Sequence, residues 1–289
     1  DFSTNGDGGY SFDMTSGGDE SGYELSIFEN AHLGGVVYED MNANGTKDEG
    51  DAGLEGITVY LDGDNTDDMD TDADGLFNFT VAPGTYTLES AGPEAFDGQS
   101  QPAGETGMYA ELDVDGSGTT DQTNLDFGYW YNGSISGTVY LDADADGTKD
   151  EGELGLAGWE VKANANADTT DANGAYSFTD MPGTYDVMLT SQDGWTVTSP
   201  EGAMYDVQVG SGADEDGNNF GVYQQAGISG TVISDADGDG TADGGELGVA
   251  GWLVTLYSGA TSVGTDSTDA NGAYSFSGLA VGSYTVKST

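Results

Sequence analysis

Internal repetition is the feature that most constrains how this chain of 289 residues folds. The segment Gly34–Asp40 (GGVVYED) recurs as Ser136–Asp142 (SGTVYLD) and Ser229–Asp235 (SGTVISD), so the last Asp of each copy falls at position 40, 142 or 235. Three further blocks follow in the same order in every copy, beginning with LEGI, LAGW or VAGW and ending near a Gly-Thr-Tyr or Gly-Ser-Tyr sequence. Copies about 95 residues long indicate a tandem array in which each copy is one structural unit.

Each copy has the residue pattern of β-strands. Apolar and polar residues alternate in runs such as Ile57–Leu61 (ITVYL) and Leu76–Thr80 (LFNFT), which Gly, Asp and Asn residues bound. Asp-Gly or Asn-Gly between such runs predicts tight hairpin turns. Trp159 and Trp252 occupy the same repeat position and are predicted core residues. With no convincing helical period, the sequence predicts an all-β fold of tandem immunoglobulin-like β-sandwich repeats with calcium-binding loops.

The repeat boundaries predict two complete and two incomplete sandwiches. Residues 1–40 align without a gap onto residues 196–235, so residues 1–32 resemble the closing strands of a repeat. Residues 227–289 match the opening strands of a repeat. The predicted domains are therefore a donor half, two whole sandwiches and an acceptor half, at 1–32, 33–131, 132–226 and 227–289.

Three interpretations of the two half-repeats remain open. An open sandwich exposes apolar surface and unpaired strand edges, and a neighbouring chain that donates strands satisfies both. Because donor and acceptor lie at opposite ends, this interpretation predicts a head-to-tail homopolymer of identical subunits. Alternatively, the sequence is a window from a longer repeat array, or each half is a degenerate cap.

The charge is extreme. The chain has 53 acidic residues, four lysines and no arginine, giving a formal net charge of −49. This excludes nucleic acid as a partner, since phosphate contacts require basic residues, and argues against anionic membranes. Self-repulsion of this size strains a compact fold unless molar salt or bound cations relieve it, which predicts a protein from a high-salt environment. The expected location is extracellular, at the cell surface. A marine or low-salt acidic surface protein is the alternative. No apolar run approaches a membrane span, so membrane insertion is not expected.

The strongest chemical motif is a twelve-residue loop that occurs three times. Oxygen-bearing side chains stand at positions 1, 3, 5, 9 and 12, with Gly at position 6 and Thr at position 7, as in EF-hand-type loops. Strand patterns flank each loop, so no switch by helix opening is expected. The first loop has less negative charge and is predicted to bind more weakly. The predicted Ca²⁺ ligands are Asp40, Asn42, Asn44, Thr46, Asp48 and Asp51; Asp142, Asp144, Asp146, Thr148, Asp150 and Glu153; and Asp235, Asp237, Asp239, Thr241, Asp243 and Glu246.

Weaker candidates accompany these loops. Asp113, Asp115, Ser117 and Asp121 have similar spacing and form a secondary metal-site candidate. Asn78 and Asn132 stand in N-glycosylation sequons. An enzyme is not expected, because the chain has no Cys and no Arg, and its lone His32 is predicted to be a solvated linker residue.

The run from Ile135–Val139 through the second loop to Thr170–Phe178 (TDANGAYSF) and Pro182-Gly-Thr-Tyr resembles the B-type repeats of bacterial serine-aspartate-repeat adhesins. It also resembles collagen-adhesin B-type domains. The resemblance implies an immunoglobulin-like sandwich in which calcium ions held by the loop residues rigidify a stalk. Some relatives carry Lys–Asn isopeptide bonds, but Lys162 has no counterpart in the other repeats, so this crosslink is not expected.

These observations predict a structural protein. The first hypothesis is a subunit of an extracellular calcium-stabilised filament or surface appendage that polymerises head to tail by completing the split sandwich. The alternative is a rigid stalk or spacer segment of a large cell-surface adhesin. The receptor or surface recognised is not predicted.

Overall fold

Alternating apolar residues form β-strands throughout the computed structural model, which describes residues 28–63, 67–102, 107–115 and 121–288. Within these residues the only helical segment is one 3-10 turn at Glu201–Ala203. The predicted all-β fold is confirmed. The chain divides into two compact units, residues 1–131 and 132–289, each described by itself. The predicted domain boundaries stay predictions, and the donor half assigned to residues 1–32 lies almost wholly outside the described residues.

The first repeat is a sandwich of two four-stranded sheets. One sheet has the order β4-β1-β8-β6 and the other β3-β2-β5-β7. Strand β1 pairs antiparallel with β4 and parallel with β8. The strands are β1 (Ala31–Glu39), β2 (Thr58–Gly63), β3 (Asp67–Asp70), β4 (Leu76–Val81), β5 (Gly84–Ser90), β6 (Gly98–Gln101), β7 (Met108–Val114) and β8 (Phe127–Trp130).

The second repeat has the same topology. Its sheets have the orders β12-β9-β17-β14, with β16 also paired to β9, and β11-β10-β13-β15. Strands β6 to β8 and β14 to β17 are called the closing strands below. The second repeat comprises β9 (Gly133–Leu141), β10 (Glu160–Ala163), β11 (Asn166–Thr169), β12 (Ala175–Asp180), β13 (Gly183–Leu189), β14 (Trp195–Ser199), β15 (Met204–Val209), β16 (Asp214–Glu215) and β17 (Phe220–Gln224).

Residues 226–288 form counterparts of the opening strands. A two-stranded sheet β18-β21 corresponds to β9-β12, and a three-stranded sheet β20-β19-β22 corresponds to β11-β10-β13. Within this stretch there is no counterpart of β14, β15 or β17. The strands are β18 (Ala226–Thr231), β19 (Leu253–Ser258), β20 (Thr261–Ser267), β21 (Ala273–Leu279) and β22 (Tyr284–Ser288).

The cores follow from the alternation. In β4 every second side chain is buried, as are Tyr176 and Phe178 in β12, because successive residues of a strand point to opposite faces of the sheet. In the second repeat, Val139, Val161, Val187 and Phe220 from the two sheets are fully buried in one cluster. The third repeat buries a much smaller set, namely Val254, Leu256 and Phe276.

Two expectations about single residues are wrong. His32 lies within strand β1 rather than in a linker, and its backbone N–H donates to Asp121 Oδ1 at 2.8 Å. Trp159 is buried as predicted, with 3% of its surface exposed, but Trp252 is 44% exposed. The strand that covers Trp159 has no counterpart in residues 226–288, so the repeat pattern alone misassigned Trp252.

Candidate metal centres

Each predicted calcium loop joins two strands and is closed at its neck by backbone pairing. In the second repeat the N–H of Leu156 donates to the carbonyl of Val139 at 2.8 Å, and Tyr140 forms a bridge with Gly155. Gly155 approaches the hairpin turn so closely that an added Cβ would overlap the Asn173 carbonyl oxygen. The first and third loops are closed in the same way, by Leu54 on Val37 and by Val249 on Val232.

Backbone N–H groups fix the two end carboxylates of every loop. In the second loop, Asp142 Oδ2 accepts from Gly147 at 2.8 Å, as Asp40 and Asp235 accept from Gly45 and Gly240. Glu153 at position 12 spans the loop, because its two oxygens accept from Ala143 at 2.7 Å and Asp150 at 3.1 Å. The same pair of bonds is made by Asp51 to Met41 and Asp48, and by Glu246 to Ala236 and Asp243.

The second and third loops bring carboxylates together. In the second loop, one oxygen each from Asp142, Asp144 and Glu153 lies within 4.8 Å of the others, and Asp144, Asp146 and Asp150 form another such group. Both groups recur in the third loop, as Asp235, Asp237 and Glu246 and as Asp237, Asp239 and Asp243. A set made only of carboxylate oxygens fits a hard divalent cation, and Ca²⁺ takes about 6–8 oxygens.

In the second loop, neighbouring carboxylates repel the negative charge of Asp144. The N–H of Asp146 favours the charged form of Asp144, but the carboxylates of Asp146, Asp142 and Asp150 surround it, and its pKa is raised above the ordinary value. Burial works against ionisation of Asp142, yet backbone N–H groups including that of Gly147 keep its pKa low. A cation at this position would relieve the repulsion around Asp144.

In the first loop, two side-chain amides donate hydrogen bonds to one of the loop's own carboxylates. Asp48 Oδ2 accepts from Asn42 at 3.0 Å and from Asn44 at 2.7 Å, and these hydrogen bonds lower the pKa of Asp48. The ammonium group of Lys47 donates to the carbonyl of Asp51 at 2.8 Å. This arrangement agrees with the weaker binding predicted for the first loop, which stays a prediction.

Buried tyrosines beneath the first two loops were missed by the sequence reasoning. Tyr38 and Tyr140 precede the first ligand of their loops by two residues, and both are buried. Burial and the charges of Asp142 and Glu153 raise the pKa of Tyr140 to about 12. The third repeat has Ile233 at this place. In the sequence, the feature that indicates these tyrosines is an aromatic residue two positions before the first ligand of the loop.

A carboxylate that links the two sheets was also missed. Asp168 Oδ2 on β11 accepts from the backbone N–H of Ser177 on β12 at 2.9 Å. In the third repeat Asp266 accepts from Ser275 in the same way at 2.8 Å. The sequence signal was an Asp two residues before the TDANG block in both repeats. The first repeat has Met69 there, whose side chain packs against the core.

The secondary metal site and the two glycosylation sites remain predictions. Asp113 and Asp121 accept hydrogen bonds from different partners, Thr85 and the backbone of His32, and Ser117 lies outside the described residues. The acidic residues of the hairpin turns accept hydrogen bonds from the turn backbone. Asp171 Oδ1, for example, accepts from the backbone N–H groups of Asn173 and Ala175. Asn78 is exposed on β4, one of the two edge strands of its sheet, and Asn132 precedes β9 and is half-buried.

Comparisons with known proteins agree with the repeat pattern. A family model described as SdrD B-like domain matches residues 31–129, 133–230 and 226–289. Serine-aspartate repeat-containing protein F of Staphylococcus epidermidis is 31% identical over 88% of this chain, which spans 17% of that protein. Protein D of the same name from Staphylococcus aureus (strain Newman) is 32% identical over 94% of this chain, which spans 23% of it. The chain thus spans about a fifth of these relatives.

Among solved structures, the Bacillus anthracis TIE protein aligns with 90% of this chain and 45% of its own, at 17% identity and a TM-score of 0.33.

The described residues contain no helical segment of the length and apolar character that a membrane crossing requires. The resemblance to B-type repeats inferred from the sequence motifs is confirmed by the family match.

Proposed function

The chain belongs to the SdrD B-like domain family, and from this premise we propose that it is a calcium-stabilised structural segment of an extracellular filament or surface appendage. Membership in this family makes it a structural repeat array and not an enzyme, as its sequence predicts. The observation that carries the proposal is the recurrence of one carboxylate arrangement at equivalent positions of the second and third repeats.

Calcium is the ion that these loops suit best. Backbone hydrogen bonds close each loop at its neck, and backbone N–H groups within the loop hold its last ligand, the carboxylate at position 12. A bound Ca²⁺ would supply positive charge that ties these carboxylates together and removes their repulsion. Because each loop connects two strands of a sandwich, ordering the loop stiffens its repeat. Calcium therefore accounts for rigidity within each unit.

Strand donation is proposed to complete the third repeat. The closing strands of the second repeat place Val197, Val207, Val209, Phe220 and Val222 in or against its core. At the offset of 195 residues that relates positions 196–235 to 1–40, these five positions fall on apolar residues of the N-terminal segment: Phe2, Phe12, Met14, Leu25 and Ile27. Residues 1–32 of a second copy therefore have the side chains that the open sandwich lacks, and their donation would join copies head to tail.

A second candidate is a rigid stalk segment of a larger surface polypeptide. The relatives are far longer than this chain, which spans 17% and 23% of two of them. In that arrangement the closing strands of the third repeat come from the same polypeptide. Both candidates share the calcium-stabilised sandwich and differ in which chain supplies the strands.

A disulfide trap separates the two candidates, because the chain has no native cysteine. In the second repeat Asp186 and Asp206 are directly opposite on antiparallel strands, and both are exposed. The matching positions across a donor–acceptor contact are Thr285 and Ser11. The doubly substituted protein S11C/T285C should form a ladder of disulfide-linked oligomers, since opposed antiparallel residues lie within disulfide reach.

The control variant is S11C/S275C, which moves one cysteine to an exposed position on the other sheet. A ladder from S11C/T285C alone supports donation between chains. Its absence under oxidising conditions in saturating calcium overturns head-to-tail completion. Electron microscopy of native material, with mass spectrometry of the termini, then tests the stalk, which requires one continuous long polypeptide.

We also propose a high-salt setting for this array. The net charge of −49 with only four basic residues supports it, because self-repulsion on this scale is relieved when salt shortens the Debye length.

A further inference from the structure

The calcium loop of the second repeat rests on the closing strands. The backbone N–H of Asp142, the first ligand of the loop, donates to the carbonyl of Val222 on β17 at 2.9 Å. Gly147 at position 6 lies close to β14, where an added Cβ would be 3.4 Å from the Thr198 carbonyl oxygen. Asp142 is fully buried as a result.

The first repeat makes the same contacts with its own closing strands. The N–H of Asp40 donates to the carbonyl of Tyr129 on β8 at 2.7 Å. A Cβ on Gly45 would be 3.1 Å from the carbonyl oxygen of Ser100 on β6. Asp40 is also fully buried. The contact between loop and closing strands is therefore a property of the complete sandwich.

The third loop retains its internal bonds but lacks this support. Gly240 donates to Asp235 Oδ2 at 3.0 Å, and Glu246 accepts from Ala236 at 2.7 Å. Asp235 is nevertheless exposed, and a Cβ added to Gly240 would meet no atom of the described chain within 4 Å. The half of the site formed by the loop is present, and the half formed by the closing strands is not.

We propose that calcium binding at the third loop and docking of a donated closing strand are coupled, so that each strengthens the other and calcium controls assembly. This inference rests on the proposed strand completion. A docking strand would bury Asp235 as Asp142 is buried, and burying a carboxylate without a compensating positive charge is costly. Conversely, the docked strand would support the first ligand and shield the site from water, which strengthens the attraction between carboxylates and cation.

The coupling must be reciprocal. If calcium tightens strand docking by some factor, the strand tightens calcium binding at the third loop by the same factor. The first two loops need no such partner, because their closing strands lie in the same repeat. Calcium binding to the first two loops would therefore be independent of assembly. The third loop would make the contact between copies depend on calcium.

The test is the binding of a fluorescein-labelled peptide of residues 1–32 to the full chain at nanomolar concentration, followed by fluorescence anisotropy with calcium or with chelator. We expect the apparent Kd of the peptide to be at least ~10-fold lower in saturating calcium, within the usual range of coupling between sites. E246Q removes the end carboxylate of the third loop and should abolish this difference. E153Q is the matched control in the second loop and should retain it.

The four outcomes distinguish the coupling from strand completion. Tighter binding in calcium that E246Q alone abolishes supports the coupling. Equal binding with and without calcium overturns the coupling and leaves strand completion in place. A calcium effect that E246Q retains also overturns it, since the third loop would not carry the effect. Failure of the peptide to bind in either condition overturns strand completion and the coupling with it.

Discussion

The indole rings of Trp159 and Trp195 meet edge to face, with their centroids 5.4 Å apart and their planes at 88°. Trp159 lies directly before β10, the first strand after the second calcium loop, and Trp195 is the first residue of closing strand β14. This contact covers Trp159, whereas its repeat counterpart Trp252 is 44% exposed. Two residues at one position of a repeat thus differ in burial because only one of them has a closing strand above it.

Truncating the two tryptophans should have unequal effects. Replacing Trp159 with Ala should lower the free energy of unfolding of the second repeat by about 3–5 kcal/mol, as for other buried aromatic residues. Replacing Trp252 should cost about 1 kcal/mol in dilute protein, because much of its ring already contacts water. Urea unfolding of the two variants measures both losses. Equal losses would contradict the exposed position of Trp252.

Neutralising the end carboxylate of the second loop should remove one calcium site. E153Q retains an oxygen that can accept the N–H of Ala143 but loses the charge. Calorimetric titration should show one fewer tight site than in the parent chain. At free calcium about 100-fold above Kd, the lost stabilisation is about 2.7 kcal/mol. E201Q, an exposed substitution outside the loops, is the control and should bind the parental number of ions.

Asp144 should make the calcium-free protein less stable as pH rises. Its pKa is raised in the folded chain, so its contribution to stability is present below the pKa of the unfolded state and is lost as pH rises through the higher folded pKa. D144N cannot ionise, so it should melt at a higher temperature than the parent in chelator at neutral pH. In calcium the order should reverse, because a ligand is gone.

The control for D144N is D193N, which removes one exposed negative charge outside the loops. Thermal melts of both variants across pH 3 to 7 in chelator separate a local effect from the general fall in net charge. If D193N raises the melting temperature as much as D144N does, the raised pKa of Asp144 has no special role.

A methyl group at Gly155 should displace the second loop from its hairpin. An added Cβ would overlap the Asn173 carbonyl oxygen, and the backbone must move to make room. G155A should cost about 1–3 kcal/mol, the usual range for overpacking, and should also weaken calcium binding. G183A is the control, since the nearest atom to its Cβ would be 3.7 Å away, on the ring of Tyr185. A calorimetric comparison in which G155A binds calcium normally would contradict the link between loop and turn.

Salt should partly compensate for the absence of calcium in stabilising the folded chain. The Debye length falls from about 10 Å at 0.1 M salt to about 3 Å at 1 M, which screens the repulsion behind the net charge of −49. In chelator, the melting temperature should therefore rise steeply between these concentrations, and in calcium it should rise less. A melting temperature insensitive to salt in chelator would argue against the high-salt proposal.

Much of the fold and of the candidate site could be predicted, because both depend on local patterns. The alternation in Leu76–Val81 determines which side chains face the core, and Asn-Gly at Asn173 and Gly174 suits a turn in which Gly174 has a φ of +76°. The ligands of one loop are also close together in the sequence. Asp142 and Glu153 are the first and last of twelve consecutive residues, and both accept hydrogen bonds from backbone N–H groups of that loop. Each of these patterns occurs in all three repeats, with Asp-Gly in place of Asn-Gly in the first.

Neighbouring residues and their periodicity are enough to specify the strands, the repeat period and the ligand spacing. Which strands cover each loop and each core residue depends instead on contacts between residues far apart in the sequence, which the fold alone reveals. The parallel pairing of β9 with β17 joins Val139 to Phe220, and the sheet link from Asp168 to Ser177 crosses between layers. Burial of Asp142 and exposure of Asp235 follow from such distant contacts, because a closing strand more than 50 residues along the chain covers one loop and not the other.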